Sequence, residues 1–340
     1  MKAVGYQVSL PASDEQALLD INLPDPIASG HDILVRVQAV SVNPVDTKIR
    51  TRAQPEQGQY KVLGWDAAGE VVAVGENVSL FKPGDKVFYA GSLTRAGSNS
   101  ELQLVDERIA AIMPDNLSYA EAAALPLTAI TAWEILFDRL ELQQPSLKYP
   151  RPVLLIVGAA GGVGSILVQL ARQLTTATVI ATASREESKQ WVTELGAHYV
   201  LDHSKPMPEQ LKALDLTHVT HVASLTHTDQ HYAELVTMLA PQGKLALIDD
   251  PVGGLDIMPL KQKSISLHWE FMFTRSMFGT ADMQQQHHLL TDLSRLIQQG
   301  QIKTTLKQVS GAINAANLRQ AHLQIEAGNA IGKIVLAGWE

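Results

Sequence analysis

Cysteine is absent from this 340-residue chain. Without a thiol there is no disulfide, no thiolate nucleophile and no metal site that needs a sulfur ligand. Aromatic residues are sparse, at 5%. Positive charge is also in short supply: 27 Lys and Arg face 35 Asp and Glu, a formal net charge of -8 with a sequence pI near 5.8. That balance offers no surface for nucleic acid or an anionic membrane, and neither is expected as a partner. No uninterrupted apolar run reaches the length of about 18 residues that a membrane span needs. The start, MKAVGYQVSLPAS, lacks the apolar core of a signal peptide. A cytoplasmic location is the expectation that remains.

Eleven histidines could still supply nitrogen ligands. None forms an HExxH pair, His287 and His288 are adjacent, and His218, His221, His227 and His231 make the one cluster to weigh. These four lie where a strand and the start of a helix are expected, so they read as surface or hydrogen-bonding side chains. No metal site is expected.

What the chain does have is the stretch Pro152-Val-Leu-Leu-Ile-Val-Gly-Ala-Ala-Gly-Gly-Val-Gly-Ser165. Val153 to Val157 reads as a fully buried strand. A turn holding Gly158, Ala160, Gly161, Gly162 and Gly164 follows, and then an amphipathic helix with Val163, Leu167, Leu170, Ala171 and Leu174 on one face. Glycines there let the backbone approach a pyrophosphate, whose charge meets the free N–H groups of the first helical turn. Ala159 stands where the first glycine of GxGxxG would be, so the motif is a GxxGxxG variant. A tight strand–helix junction alone would also favour small residues. The legible strand before it and helix after it favour dinucleotide binding.

Ahead of this stretch, roughly the first 125 residues are strand-rich, with Gly/Pro turns that suit a small, partly open barrel. The long half-buried strand is His31 to Val42, followed by the turn Asn43-Pro44-Val45-Asp46 and a short helix to Arg52. Residues 52–61 read as a loop, and the small run Ala67-Ala68-Gly69 suggests backbone held close to something. Ser118 with Glu121 has the spacing of a capping box. A helix from Thr128 to Phe137 and a loop, Pro145–Pro152, then lead to the glycine stretch.

From residue 153 strands and helices alternate. Strands are predicted at 153–157, 178–183, 198–201, 219–223, 244–248 and 264–268, with helices at 163–175, 186–195, 208–214, 228–240 and 282–299. Apolar strands in βα alternation make a mostly parallel sheet covered on both faces. A closing strand, Gly332 to Leu336, has no partner in that unit and should return to the N-terminal domain, making it discontinuous. The expected domains are 1–127 with 262–340, and 128–261.

In a dinucleotide site an Asp or Glu at the end of the second strand accepts from the ribose 2′-hydroxyl of NADH. Here that position reads Ala181-Thr182-Ala183-Ser184-Arg185. Ser184 and Arg185 suit a 2′-phosphate instead, with Lys189 one helical turn on and His203 after the third strand within reach. NADPH is the expected cofactor, although Arg185 and Lys189 also read as solvated helix charges. Ser224-Leu225-Thr226 and Asp249 follow later strands, where backbone groups are placed to hold the nicotinamide end.

Four segments together resemble the medium-chain dehydrogenase/reductase superfamily: Val42-Asn-Pro-Val-Asp-Thr47, Gly64-Trp-Asp-Ala-Ala-Gly-Glu-Val71, Leu125-Pro-Leu-Thr-Ala-Ile-Thr-Ala-Trp133 and Gly158-Ala-Ala-Gly-Gly-Val-Gly164. The narrower similarity is to its quinone oxidoreductase-like branch, the "zinc-type alcohol dehydrogenase-like" group. His268-Trp-Glu-Phe-Met-Phe-Thr-Arg275 and Gly332-Lys-Ile-Val-Leu336 are similar to that group as well. The resemblance implies a Rossmann-type doubly wound parallel sheet and a GroES-like, partly open barrel built from both chain ends. It also implies NADPH-dependent reduction of quinones or conjugated carbonyls, with dimers as a common assembly, and places Thr131 facing the nicotinamide. Zinc-using relatives have Cys where this chain has Asn43 and a His-Glu pair where it has Trp65-Asp66. The chain has no counterpart of their Cys-rich lobe in Gly91 to Glu107.

Without a metal to polarise a carbonyl, hydride transfer relies on orientation and hydrogen bonding, which favours acceptors already activated by conjugation. The expected partner is therefore a small electrophile, a quinone or an enone/enal, with a homodimer as the expected assembly. Asn43 is the first candidate for the reaction site, with a helix-start cap as its plainer role. Trp65 is a candidate floor for an apolar pocket, or simply core. Tyr60 and Tyr89 offer phenols to a carbonyl oxygen. Phe271-Met-Phe273 belongs either over the acceptor or at a subunit contact. No YxxxK pair is present to supply a dedicated acid. An alcohol or aldehyde dehydrogenase and a catalytically silent nucleotide-binding protein are the competing readings.

Overall fold

The structure is a computed structural model that describes residues 1–143 and 148–340. Part of the loop expected at Pro145–Pro152 lies outside the described residues. The chain forms two compact units, Met1–Ile130 with Phe273–Glu340, and Thr131–Met272. The second unit runs to Met272 rather than 261 because strand Ser266–Trp269 pairs with Leu239–Leu247 and completes its sheet.

In the first unit a seven-stranded sheet is organised around Asp32–Ser41, which pairs antiparallel with Asp66–Val74, Leu102–Asp106 and Lys333–Ala337. The pairing Val335↔Ser41 brings the chain's closing strand home to the N-terminal half, as its missing partner in the α/β unit required. Ile33, Val35, Val37, Val71, Val87 and Phe88 fill the interior with no exposed surface. The small run Ala67-Ala68-Gly69 lies in a strand paired on both sides, to Val40 and Ala39 on one and to Tyr89 and Phe88 on the other. Backbone of the barrel itself is what it is held close to. A second sheet joins Leu19–Asn22, Lys2–Tyr6 and Lys61–Val62.

The second unit has six parallel strands in the order Tyr199–Leu201, Thr178–Thr182, Val153–Val157, Val219–Ser224, Leu239–Leu247, Ser266–Trp269. This is the doubly wound order, and its direction reverses between Val153–Val157 and Val219–Ser224, where ligands of such sheets bind. Val153–Val157 is buried along its whole length, as a central parallel strand must be. Helix Gly162–Leu174 buries Leu167, Leu170 and Ala171 as expected, together with Ile166 and Val168, while Val163 and Leu174 are half-buried.

The fifth strand differs from its sequence reading. It starts at Leu239 rather than Lys244, because the preceding helix stops at Met238. Pro241 lacks the N–H that a longer helix would use and forces extended backbone before it. Among the described residues one helical stretch, Tyr119–Arg139, is long and apolar enough to cross a bilayer, and 78% of its apolar window is buried inside the protein.

Candidate functional site

The glycine turn of the second unit is built for close backbone approach. Gly158 has φ +78, and a Cβ there would meet Thr226 Cγ2 at 2.7 Å. A Cβ on Gly164 would lie 2.5 Å from the Ala159 backbone, so only glycine lets the helix pack this tightly on the turn. Gly158 donates its N–H to Thr182 Oγ1 at 3.2 Å, which ties the turn to the neighbouring strand. Gly161 caps the helix and has no side chain to offer. The N–H groups of Gly162, Val163 and Gly164 therefore face outward without intrahelical acceptors, as an anion site requires. The half-buried turn residues Ala160, Gly161, Gly162 and Val163 complete this cradle. It fits a dinucleotide pyrophosphate.

Strand Thr178–Thr182 ends without a carboxylate, and Arg185 is exposed at the start of the next helix. Ser184 is half-buried beside it. The bond from Ala183 N–H to Leu201 C=O, 2.9 Å, sets this strand end against the one carrying Asp202 and His203. Lys189 reaches Glu186 at 2.8 Å and Asp202 at 3.9 Å, so its ammonium sits in a local ion-pair network. Ser224, Thr226 and Asp249 gather at the carboxyl ends of later strands, yet two of them are occupied. Ser224 Oγ lies 2.7 Å from Thr228 Oγ1, and the Asp249 carboxylate accepts from Thr228 N–H and Oγ1 at 2.9 and 2.5 Å. Side-chain contact of Ser224 or Asp249 with a cofactor is therefore not what their geometry offers; they fix the start of helix Thr228–Met238. Leu225 N–H is likewise used, donating to Val157 C=O at 3.2 Å. Thr131 is buried in helix Pro126–Trp133.

In the first unit Asn43, Asp46, Asp66 and Lys333 form a buried polar group, none more than 3% exposed. Asp66 Oδ2 accepts from Asn43 Nδ2 at 2.8 Å and from Lys333 Nζ at 3.1 Å, and Asp66 Oδ1 accepts from Leu127 N–H at 2.7 Å. Lys333 also donates to Asn43 Oδ1 and, at 3.1 Å, to Val42 C=O. Asn43 N–H donates to Asp46 Oδ2 at 2.7 Å, the backward half of a capping box at the start of helix Pro44–Arg52. Burial pushes the Asp46 carboxyl up to about 7, against the pull of Asn43 N–H and Lys333. Burial raises Asp66 too, with Lys333 again opposing.

Several expected roles change on this geometry. Both amide hydrogens of Asn43 are used, on Asp66 and on Ser41 C=O, so Asn43 positions its neighbours and does not reach toward a substrate. Tyr89 is fully buried and donates its hydroxyl to Gln103 Oε1 at 2.8 Å; burial drives its pKa far up, and its phenol serves the barrel interior. Trp65 is core: it is 1% exposed, bonded through Nε1 to Ser92 C=O at 3.1 Å, and packed edge-on against Phe273 at 6.1 Å. Tyr60, 42% exposed on its loop, is the phenol left facing solvent. Of Phe271-Met-Phe273, only Phe271 is exposed.

Zinc does not fit here. Trp65 has no ligand atom to give, and Asn43 and Asp66 already share the ammonium of Lys333, which would repel a divalent cation. Among the described residues no group of three His, Cys, Asp or Glu is placed to hold a metal. The four histidines weighed from sequence separate: His218 is exposed and His221 is bonded to Thr220 Oγ1 at 2.7 Å, while His227 and His231 turn to one cavity.

Lys333 was not among the site residues read from sequence. Its signal was present: a lysine inside the apolar strand Lys333–Ala337 has to find a buried partner.

A switch-point cradle in a doubly wound unit, carried on the same chain as a barrel unit made from both chain ends, defines an oxidoreductase of the medium-chain dehydrogenase/reductase superfamily. The chain belongs to that superfamily, in the zinc-type alcohol dehydrogenase-like group of its quinone oxidoreductase branch, and lacks the zinc ligands. Residues 29–128 match the alcohol dehydrogenase GroES-like domain and residues 195–336 the zinc-binding dehydrogenase family. It is 41% identical over 338 residues to a zinc-type alcohol dehydrogenase-like protein of Staphylococcus aureus, covering 99% of both chains. An NADPH-dependent alkenal/one oxidoreductase of Arabidopsis thaliana is 35% identical over 57% of this chain and 50% of its own. Among solved structures, a Rhizobium etli protein described as a zinc-dependent alcohol dehydrogenase superposes with TM-score 0.96 at 56% identity, covering 100% of this chain and 98% of its own. Escherichia coli quinone oxidoreductase in complex with NADPH superposes with TM-score 0.83 at 25% identity, over 99% of this chain and 100% of its own.

Proposed function

We propose that this protein is an NADPH-dependent, metal-independent reductase that delivers hydride to a quinone or a conjugated enone/enal. The observation that carries the reading is the end of strand Thr178–Thr182. No carboxylate ends that strand to accept from a ribose hydroxyl; Ser184 and Arg185 follow it, and Lys189 lies 3.9 Å from Asp202, the neighbour of His203, which supports a 2′-phosphate at this strand end. The N–H groups of Gly162, Val163 and Gly164 hold the pyrophosphate. When bound, NADPH supplies the hydride.

The chain's own part is orientation and charge. A conjugated acceptor is already electron-poor, so a hydrogen bond to its oxygen is enough, and Tyr60, the exposed one of the two candidate phenols, is proposed to give it. Lys333 holds the buried carboxylates in place and keeps a divalent cation out of the site that zinc-using relatives employ. The names of the Arabidopsis and Escherichia coli relatives support this acceptor class and cofactor.

The reading extends to a homodimer acting in the cytoplasm. Strand Ser266–Trp269 forms one edge of its sheet, and its Trp269 and the following Phe271 are 55% and 48% exposed. Exposed apolar side chains on an open edge suit pairing with a second copy, which sedimentation velocity checks.

Titrating the full protein with NADPH and NADH tests the cofactor. NADPH should bind at least about tenfold tighter, and Arg185→Ala should remove most of that margin. Equal affinity would overturn the NADPH assignment.

A further inference from the structure

Three histidines line one cavity of the second unit. His203 stands in the turn after strand Tyr199–Leu201, His227 caps helix Thr228–Met238, and His231 lies in the first turn of that helix. With Gly158, Thr226 and Gln230 they wall a cavity of about 290 Å³ at the carboxyl ends of the strands. The rings of His203 and His231 meet edge to face with centroids 5.9 Å apart. His203 Nδ1 is buried and has no hydrogen-bond partner among the described residues. Buried ring nitrogens are normally satisfied, so an orphaned one on a cavity wall calls for a partner from a ligand.

The charges around the pair are mixed. Asp202 lies beside His203 and draws Lys189 to 3.9 Å and Lys205 to 3.8 Å. Glu186 holds Lys189 at 2.8 Å, and Arg185 starts the same helix. Asp229 and Glu234 accompany His231 on its own helix, and His227, 2.8 Å through Nδ1 from Thr226 Oγ1, lines the same cavity. Burial holds His203 and His231 below the ordinary histidine range; Asp202 pulls His203 back up, and His203 pushes His231 further down. The imidazoles are therefore neutral near pH 7 until an anion arrives. A phosphate monoester brings close to two negative charges at that pH, and such a charge raises the proton affinity of imidazoles beside it.

We propose that His203 and His231 take up a proton as they close on the adenosine 2′-phosphate, so that discrimination for NADPH over NADH widens as pH falls. The inference rests on the NADPH reading above and adds the groups and the proton that enforce it. Gly158 belongs to the glycine turn and also lines the cavity, so the pyrophosphate cradle and the histidine wall are parts of one nucleotide site. Below about pH 6 the phosphate itself gains a proton and the effect levels off.

Isothermal titration of the full protein at pH 7.5, in buffers of different ionisation enthalpy, reads the proton directly. The expected result is uptake of about half to one proton per NADPH and none per NADH. The ratio of NADH to NADPH dissociation constants should be several-fold larger at pH 6.5 than at pH 8.5, and adenosine 2′,5′-bisphosphate against 5′-AMP should show the same trend. In a His203→Gln/His231→Gln variant both the uptake and the pH trend should vanish. Equal proton uptake with both nucleotides, no uptake with NADPH, or a trend that survives in the variant overturns the histidine assignment while leaving NADPH binding intact. Failure of either nucleotide to bind overturns the NADPH reading and this inference with it.

Discussion

At the scale of single residues, the environment of Lys333 governs the first unit. Its ammonium faces two buried carboxylates and two oxygens of the Val42-Asn43 pair. Lys333→Met should cost about 3–5 kcal/mol, because it leaves Asp66 buried without its counter-charge. Adding Asp66→Asn should restore part of the loss, as chemical denaturation of the single and double variants would show. Asp46 gives a pH prediction. Its carboxyl is pushed up to about 7 in the folded protein, chiefly by burial, whereas an unfolded Asp titrates near about 3.9. The folded state holds this proton more tightly, so the stabilisation is complete below about pH 4 and is lost as pH rises toward 7. Relative to Asp46→Asn, the wild-type melting temperature should fall across that window; a constant difference would contradict the assignment. Neither effect was legible in sequence, since what unites Asn43, Asp66 and Lys333 is a strand pairing between opposite ends of the chain. The missing zinc ligands were legible, because residue types alone exclude them.

At the scale of elements, the strand–turn–helix from Val153 to Leu174 was readable because its constraints are local. A strand buried on both faces is apolar throughout, and a helix that starts against its backbone needs glycine. Gly164→Ala tests this: its methyl group would press on Ala159 backbone that cannot swing aside, with an expected loss of about 1–3 kcal/mol and weaker NADPH binding by titration. Elements that were misread lacked such local constraint. Leu239 and Ala240 continue the apolar pattern of the helix before them, and only Pro241 marks the change to strand. Strand Leu306–Val309 is mostly exposed at a sheet edge, so no apolar alternation announced it. The phenol of Tyr89 was legible as a residue type but not as a core group, because its fate depends on Gln103 in another strand.

At the scale of the whole molecule, the chain's two ends share one unit through Val335↔Ser41, and the nucleotide unit is inserted between them. That discontinuity was inferred from the final strand's lack of a partner nearby, a constraint that pattern alone conveys. The proposed reductase takes an acceptor activated by its own conjugation, and its buried cation is Lys333. Steady-state oxidation of NADPH by a panel of quinones and enals, run on protein freed of metal by chelation, tests this most directly. Turnover should be unchanged by chelation, and saturated aldehydes and simple ketones should not support it. Turnover that disappears with the metal and returns with added zinc, with a saturated aldehyde or simple ketone as the preferred acceptor, would contradict this reading.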